Sequence, residues 1–124
     1  MYGHYTTLTK QEHITYWVET ADKDWAAIQT MYKAKTYLHA LFFAHLVLEK
    51  LLKAHWVKDN EENFPPKVHN LLNILAKTTL QLPDADKDFL ATMNQFQLGG
   101  RYPDYKLELY KKLDLSKQKK FLIS

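Results

Sequence analysis

The sequence predicts an all-α protein, an antiparallel four-helix up-down bundle with a short fifth C-terminal helix. Three observations lead there. The stretch Thr36 to Lys58 holds no Gly and no Pro, and its residues favour helix. Apolar residues recur at helical spacing in further stretches, each closed by capping or breaking residues. No segment alternates apolar and polar residues over a strand's length with β-branched enrichment. The chain has 124 residues, 46% of them hydrophobic, which suits one domain spanning 1–124 around one core.

Thr9-Lys-Gln-Glu12 reads as a capping box. Behind it Ile14, Trp17, Val18, Ala21, Trp25 and Ile28 keep helical spacing, which places helix one at about 10–31. Tyr32 to Lys35 is a short link without strong turn residues. The central helix, 36–58, then runs back antiparallel. At 100° per residue Tyr37, Ala40, Leu41, Ala44, Val47, Leu48, Leu51 and Ala54 share one face. The opposite side mixes His39, Glu49, Lys50 and Lys53 with Phe42, Phe43, Leu46 and, at its edge, Trp56. A helix apolar on two sides is central in a bundle or covers its second side with another chain. Phe42, Leu46 and Trp56 are therefore the expected dimer interface.

Asp59 to Pro66 is an acidic loop ending in a double proline. Helix three is expected from Pro66 or Lys67, with a stripe of Val68, Leu71, Leu72, Leu75 and Ala76. Leu80 to Pro83 breaks it. Asp84 is the expected N-cap of helix four, which carries Phe89, Leu90, Met93 and Phe96 and stops at Gly99-Gly100. Arg101-Tyr-Pro-Asp104 is a loop, since a residue before proline avoids the helical region. Asp104 can cap the last, short helix.

Composition narrows the chemistry. There is no cysteine, so disulfides and thiolate metal sites are excluded. No apolar run approaches a membrane span, and the first residues lack the pattern of a signal peptide, so a cytoplasmic protein is expected. The formal charge is +3. Much of the excess lies in Lys111, Lys112, Lys117, Lys119 and Lys120, which suits nucleic acid or a plain solvated face. No phosphate-binding loop, nucleophile elbow or zinc motif is present.

The candidates are single residues. Glu49, Lys50 and Lys53 sit in an otherwise apolar helix, either as a solvated stripe or as a polar cluster at a subunit or ligand groove. His45 lies four residues before Glu49, but the Glu-x-x-His pairs of a di-metal bundle are missing, so neither metal nor other cofactor is expected. His69 opens helix three and either packs on the loop or meets a ligand. Arg101 is the only arginine in the chain. Its planar fork suits an internal clamp on carbonyls, or phosphate and carboxylate recognition, with Tyr102 and Asp104 beside it.

Taken together, these residues carry a resemblance. Trp17 to Trp25 with Ala21 and Asp24 is similar to the first helix of the HEPN family. Tyr37-Leu-His-Ala40, Phe43, Ala44, Glu49-Lys50, Leu52 and Lys53-Ala54 resemble its central helix, Val68-His-Asn-Leu71 the opening of its third, and Arg101-Tyr-Pro-Asp104 its loop after the fourth. The resemblance implies a helical bundle, commonly dimeric. Many members are encoded beside a minimal nucleotidyltransferase as toxin–antitoxin modules, and others bind nucleotides. The family's active RNases carry an arginine followed a few residues on by a histidine. No histidine follows Arg101 here. The expectation is thus a non-catalytic bundle binding a nucleotide, RNA or a partner protein. The alternatives are a metal-independent RNase toxin, drawing its acid/base from His69 or from His39 of a dimer mate, and a purely structural assembly domain.

Overall fold

The computed structural model describes residues 8–97. Every regular element among them is helical: α1 (Lys10–Lys33), α2 (Tyr37–Asp59), α3 (Leu71–Leu75) and α4 (Asp84–Met93), then a 3-10 turn at Asn94–Phe96. The all-α class is therefore observed. The Gly99-Gly100 stop, the loop at Arg101 and the expected fifth helix lie outside the described residues.

α1 starts where its capping box requires. Glu12 N–H donates to Thr9 Oγ1 and Thr9 N–H donates to Glu12 Oε1, both at 3.1 Å. α1 runs two residues beyond the expected end, and Lys35 makes the turn. Its φ of 60° is left-handed. Lys35 N–H donates to the Tyr32 carbonyl and Thr36 N–H to the Met31 carbonyl, at 3.1 and 3.0 Å. This is a Schellman closure with lysine where glycine is usual.

α2 returns antiparallel along α1. The Lys10 ammonium, in the first turn of α1, donates to the carbonyls of Val57 and Asn60 at 2.7 Å each, with those of Glu61 and Glu62 at 3.3 and 3.4 Å. The Val57 and Asn60 carbonyls are orphan acceptors at the end of α2, where a cation is favoured, and the other two follow in the loop. Midway along, Lys50 pairs with Asp24 at 2.6 Å.

The core face of α2 differs from the expected stripe. Leu41, Leu52, Trp56 and Val57 join Leu71, Ile74, Leu75, Leu90, Met93 and Phe96 in one cluster. Leu51, expected inside, is 39% exposed, and Val47 is half-buried. α2 has α1 on one side and α3 with the 3-10 turn on another, so its inner surface is wider than one stripe and rotated from it. Trp56 is a correction to the dimer assignment: at 8% exposure it belongs to the intrachain core. Phe42 packs on that core too, with its ring centroid 6.4 Å from Phe96. Leu46 is half-buried.

α3 is shorter than expected and begins at Leu71, not Pro66 or Lys67. Asn70 caps it, its Oδ1 accepting from Leu72 and Asn73 N–H at 3.0 and 3.2 Å. Asn94 Oδ1 accepts from Leu71 N–H at 2.9 Å, and Asn94 Nδ2 donates to Asn70 Oδ1 at 3.3 Å. Val68 and His69 thus stand before the helix. In α4 the cap position is Pro83, whose carbonyl accepts from Asp86 and Lys87 N–H, and Asp84 is already helical. The regular helix ends at Met93 and tightens into the turn that carries Asn94 and Phe96.

Candidate binding site at Glu49

α2 places His45, Glu49 and Lys53 one above another, at the i, i+4 spacing that puts side chains on one helix face. All three are buried, at 1, 5 and 6% exposure. A buried carboxylate is tolerated only when paired and hydrogen-bonded. Here Lys53 Nζ donates to Glu49 Oε2 at 3.0 Å. Lys53 Nζ also lies 5.5 Å from the ring centroid of Trp17 on α1, within the range of a cation–π contact.

The second partner comes from outside α2. The stretch before α3 brings His69 Nδ1 to 3.0 Å from Glu49 Oε1 and 3.2 Å from Oε2. An ionised carboxylate can only accept, so this bond requires the proton on His69 Nδ1. When His69 is neutral, its lone pair is then at Nε2, on a ring whose side chain is 50% exposed. His69 is thus the exposed partner of the buried Glu49–Lys53 pair.

His45 completes the cluster without joining its bonds. Its Nδ1 lies 3.8 Å from Glu49 Oε1, beyond hydrogen-bond range. Neither ring nitrogen has a hydrogen-bond partner. Burial holds His45 below the ordinary histidine value. The Glu49 charge opposes this, as do the Asn94 side chain and the His69 main chain beside it, while the His69 charge reinforces it.

Of the residues singled out from the sequence, the fold brings Glu49, Lys53 and His69 together. Lys50 is separate, committed to Asp24 at the α1 side. Arg101, Tyr102 and Asp104 lie outside the described residues. His69 does not open helix three as expected; it stands before α3, which begins at Leu71. His45, Trp17 and Asn94 were not singled out as site residues. The i, i+4 run from His45 through Glu49 to Lys53 was the available signal for the first. Nothing local signals Trp17 or Asn94. Among the described residues no group of three acidic or histidine side chains is set to hold a metal ion, and no helix is long and apolar enough to cross a membrane.

A long helical hairpin with two short helices folded onto it, and a buried charge cluster opening through one histidine, defines a small all-α domain. The family model described as HEPN domain matches residues 14–120, and the chain belongs to the HEPN domain family. No curated protein and no solved structure matches it significantly.

Proposed function

We infer that this HEPN domain is a non-catalytic binding module that takes a nucleotide, RNA or a partner protein, the partner being of the minimal nucleotidyltransferase type that accompanies many relatives in toxin–antitoxin modules. The carrying observation is that all six histidines precede Arg101, so the arginine-to-histidine pair of the family's RNases cannot be assembled there. A general acid/base for phosphodiester cleavage has to reach the reacting atoms. Among the described residues His69 is the exposed member of the buried cluster, but its Nδ1 is committed to Glu49. Arg101, Tyr102 and Asp104 are the proposed ligand contacts, with His69 as the exposed end of the cluster formed by Glu49 and Lys53, and Lys50 nearby on α2. The up-down order of all four helices is part of the same reading.

The protein is expected to leave single-stranded and structured RNA intact under conditions where a competent relative cuts both. Cleavage that disappears in Arg101→Ala or His69→Ala overturns the reading. A raised melting temperature with a mononucleotide, abolished in Arg101→Lys, identifies the nucleotide rather than a protein as the ligand.

We also propose a homodimer, now narrowed to Phe42 and Leu46 because Trp56 is internal. Both are half-buried on α2, and large apolar side chains left partly open mark interfaces. Light scattering at micromolar concentration is expected to give twice the chain mass; a monomer there removes the dimer from the proposal.

A further inference from the structure

Lys53, Glu49 and His69 form a chain of polar contacts that runs from the interior to the surface. Lys53 Nζ donates to Glu49 Oε2 at 3.0 Å. His69 Nδ1 meets both oxygens of the same carboxylate, at 3.0 and 3.2 Å. The two inner side chains are 7% exposed and the imidazole is 50% exposed. A nucleophile bonded to a base that a third group orients is the general arrangement of an activated side chain.

We propose that His69 is a modification site, a nucleophile whose Nε2 accepts a phosphoryl group from a donor of the phosphoramidate class. The inference goes beyond the binding role and does not depend on what the domain binds.

The carboxylate does two things for the ring. It can only accept, so it keeps the proton on Nδ1 and leaves the lone pair of the neutral ring at Nε2. It also faces the positive charge that the ring acquires when Nε2 attacks, as the carboxylate of a hydrolase triad does for its histidine. Lys53 holds that carboxylate in place, and the Trp17 ring, 5.5 Å from Nζ, holds Lys53. Among the described residues no hydrogen bond occupies Nε2.

The step balances without a redox partner. The Nε2 lone pair forms the N–P bond. The donor's P–N bond breaks, and the amine, already protonated in phosphoramidate, leaves as neutral ammonia with that electron pair. Nδ1 keeps its proton, so the product is an imidazolium paired with Glu49. An acyl group on an imidazole is soon lost to water, whereas a phosphoryl group persists long enough to act as a modification. It adds about two negative charges to the surface in front of α3.

The other histidines differ. His13 and His45 are buried, at 7 and 1% exposure. His39 is exposed and His55 half-buried, and neither has a carboxylate within hydrogen-bond distance among the described residues. His39 is therefore the internal reference for an accessible but unassisted imidazole.

The test is incubation of the folded chain with potassium phosphoramidate at neutral pH, read by peptide mass mapping and phosphorus NMR. One phosphoryl group is expected on His69, as the Nε2 isomer, ahead of His39. In Glu49→Gln the rate at His69 is expected to fall about tenfold or more, with the Nδ1 isomer now present. Loss of isomer selectivity marks Glu49 as a positioning residue, which a merely structural role would not produce. Should that variant not fold, the wild type in urea carries the comparison: His69 is expected to slow to the rate of His39. The proposal fails if His69 takes no phosphoryl group, takes it at Nδ1, or reacts no faster than His39 in the folded chain. It fails equally if urea leaves the rate at His69 unchanged. RNA cleavage and nucleotide binding do not enter these readouts, so the functional assignment and this site stand or fall separately.

Discussion

Glu49→Leu is expected to lower the free energy of unfolding by about 3–5 kcal/mol, the usual penalty for leaving one member of a buried ion pair without its partner. The argument rests on what remains. Lys53 keeps its ammonium at 6% residue exposure, with the Trp17 face as its one remaining stabilising contact of those described. His69 loses the acceptor for its Nδ1. The pairing itself need not be a large stabiliser, because desolvation of both charges offsets most of their attraction. Glu49→Leu with Lys53→Met is therefore expected to recover most of the loss. Urea unfolding at neutral pH measures all three variants and gives the coupling as a double-mutant cycle. Single variants within about 0.5 kcal/mol of the wild type, as at ordinary surface positions, show that the cluster is hydrated and not buried.

Phe96→Ala is expected to cost a similar amount, about 3–5 kcal/mol, for a different reason. Phe96 is 1% exposed and stands among Leu41, Leu71, Ile74 and Met93 in the core. Removing its ring opens a cavity in the layer that joins α2 to α3. It also loosens the turn that holds Asn94 against Leu71 and Asn70. Phe64 is the control: it is 61% exposed, and although its ring meets His13 edge-on, Phe64→Ala is expected to change stability by less than about 1 kcal/mol. Thermal unfolding separates the two. Equal losses at both positions contradict this division of the core.

The contrast between these phenylalanines shows what the sequence could and could not convey. Local chemistry was legible. Thr9 and Glu12 sit three apart and fixed the start of α1, and the uninterrupted helix formers of 36–58 located α2 within one residue at each end. Contacts between distant residues were not. α3 starts at Leu71 because Asn70 meets Asn94, 24 positions away, and no periodicity encodes that meeting. The α1–α2 turn carries no glycine, because Lys35 takes the left-handed position itself. α2 is apolar on two sides, so spacing alone could not choose which side α3 covers. That is why Leu51 was placed inside and Trp56 outside. The candidate site divides the same way. Its helical half, Glu49 over Lys53, follows from spacing, whereas the arrival of His69, 20 positions from Glu49, depends on the stretch after Asp59 closing back on α2.

The Lys10 clasp has a kinetic consequence. Its bonds join residues 47 to 52 positions apart, whereas the bonds of the Lys35 turn span 3 to 5. Closing a long loop is entropically dearer than closing a short one, so the hairpin is expected to zip from its tip and meet Lys10 late. An interaction made after the barrier governs the rate of opening and not the rate of assembly. Lys10→Met should therefore leave refolding unchanged in stopped-flow measurements and hasten unfolding. The lysine acts as a latch on the mouth of the hairpin, setting how long the closed form survives rather than how quickly it is found.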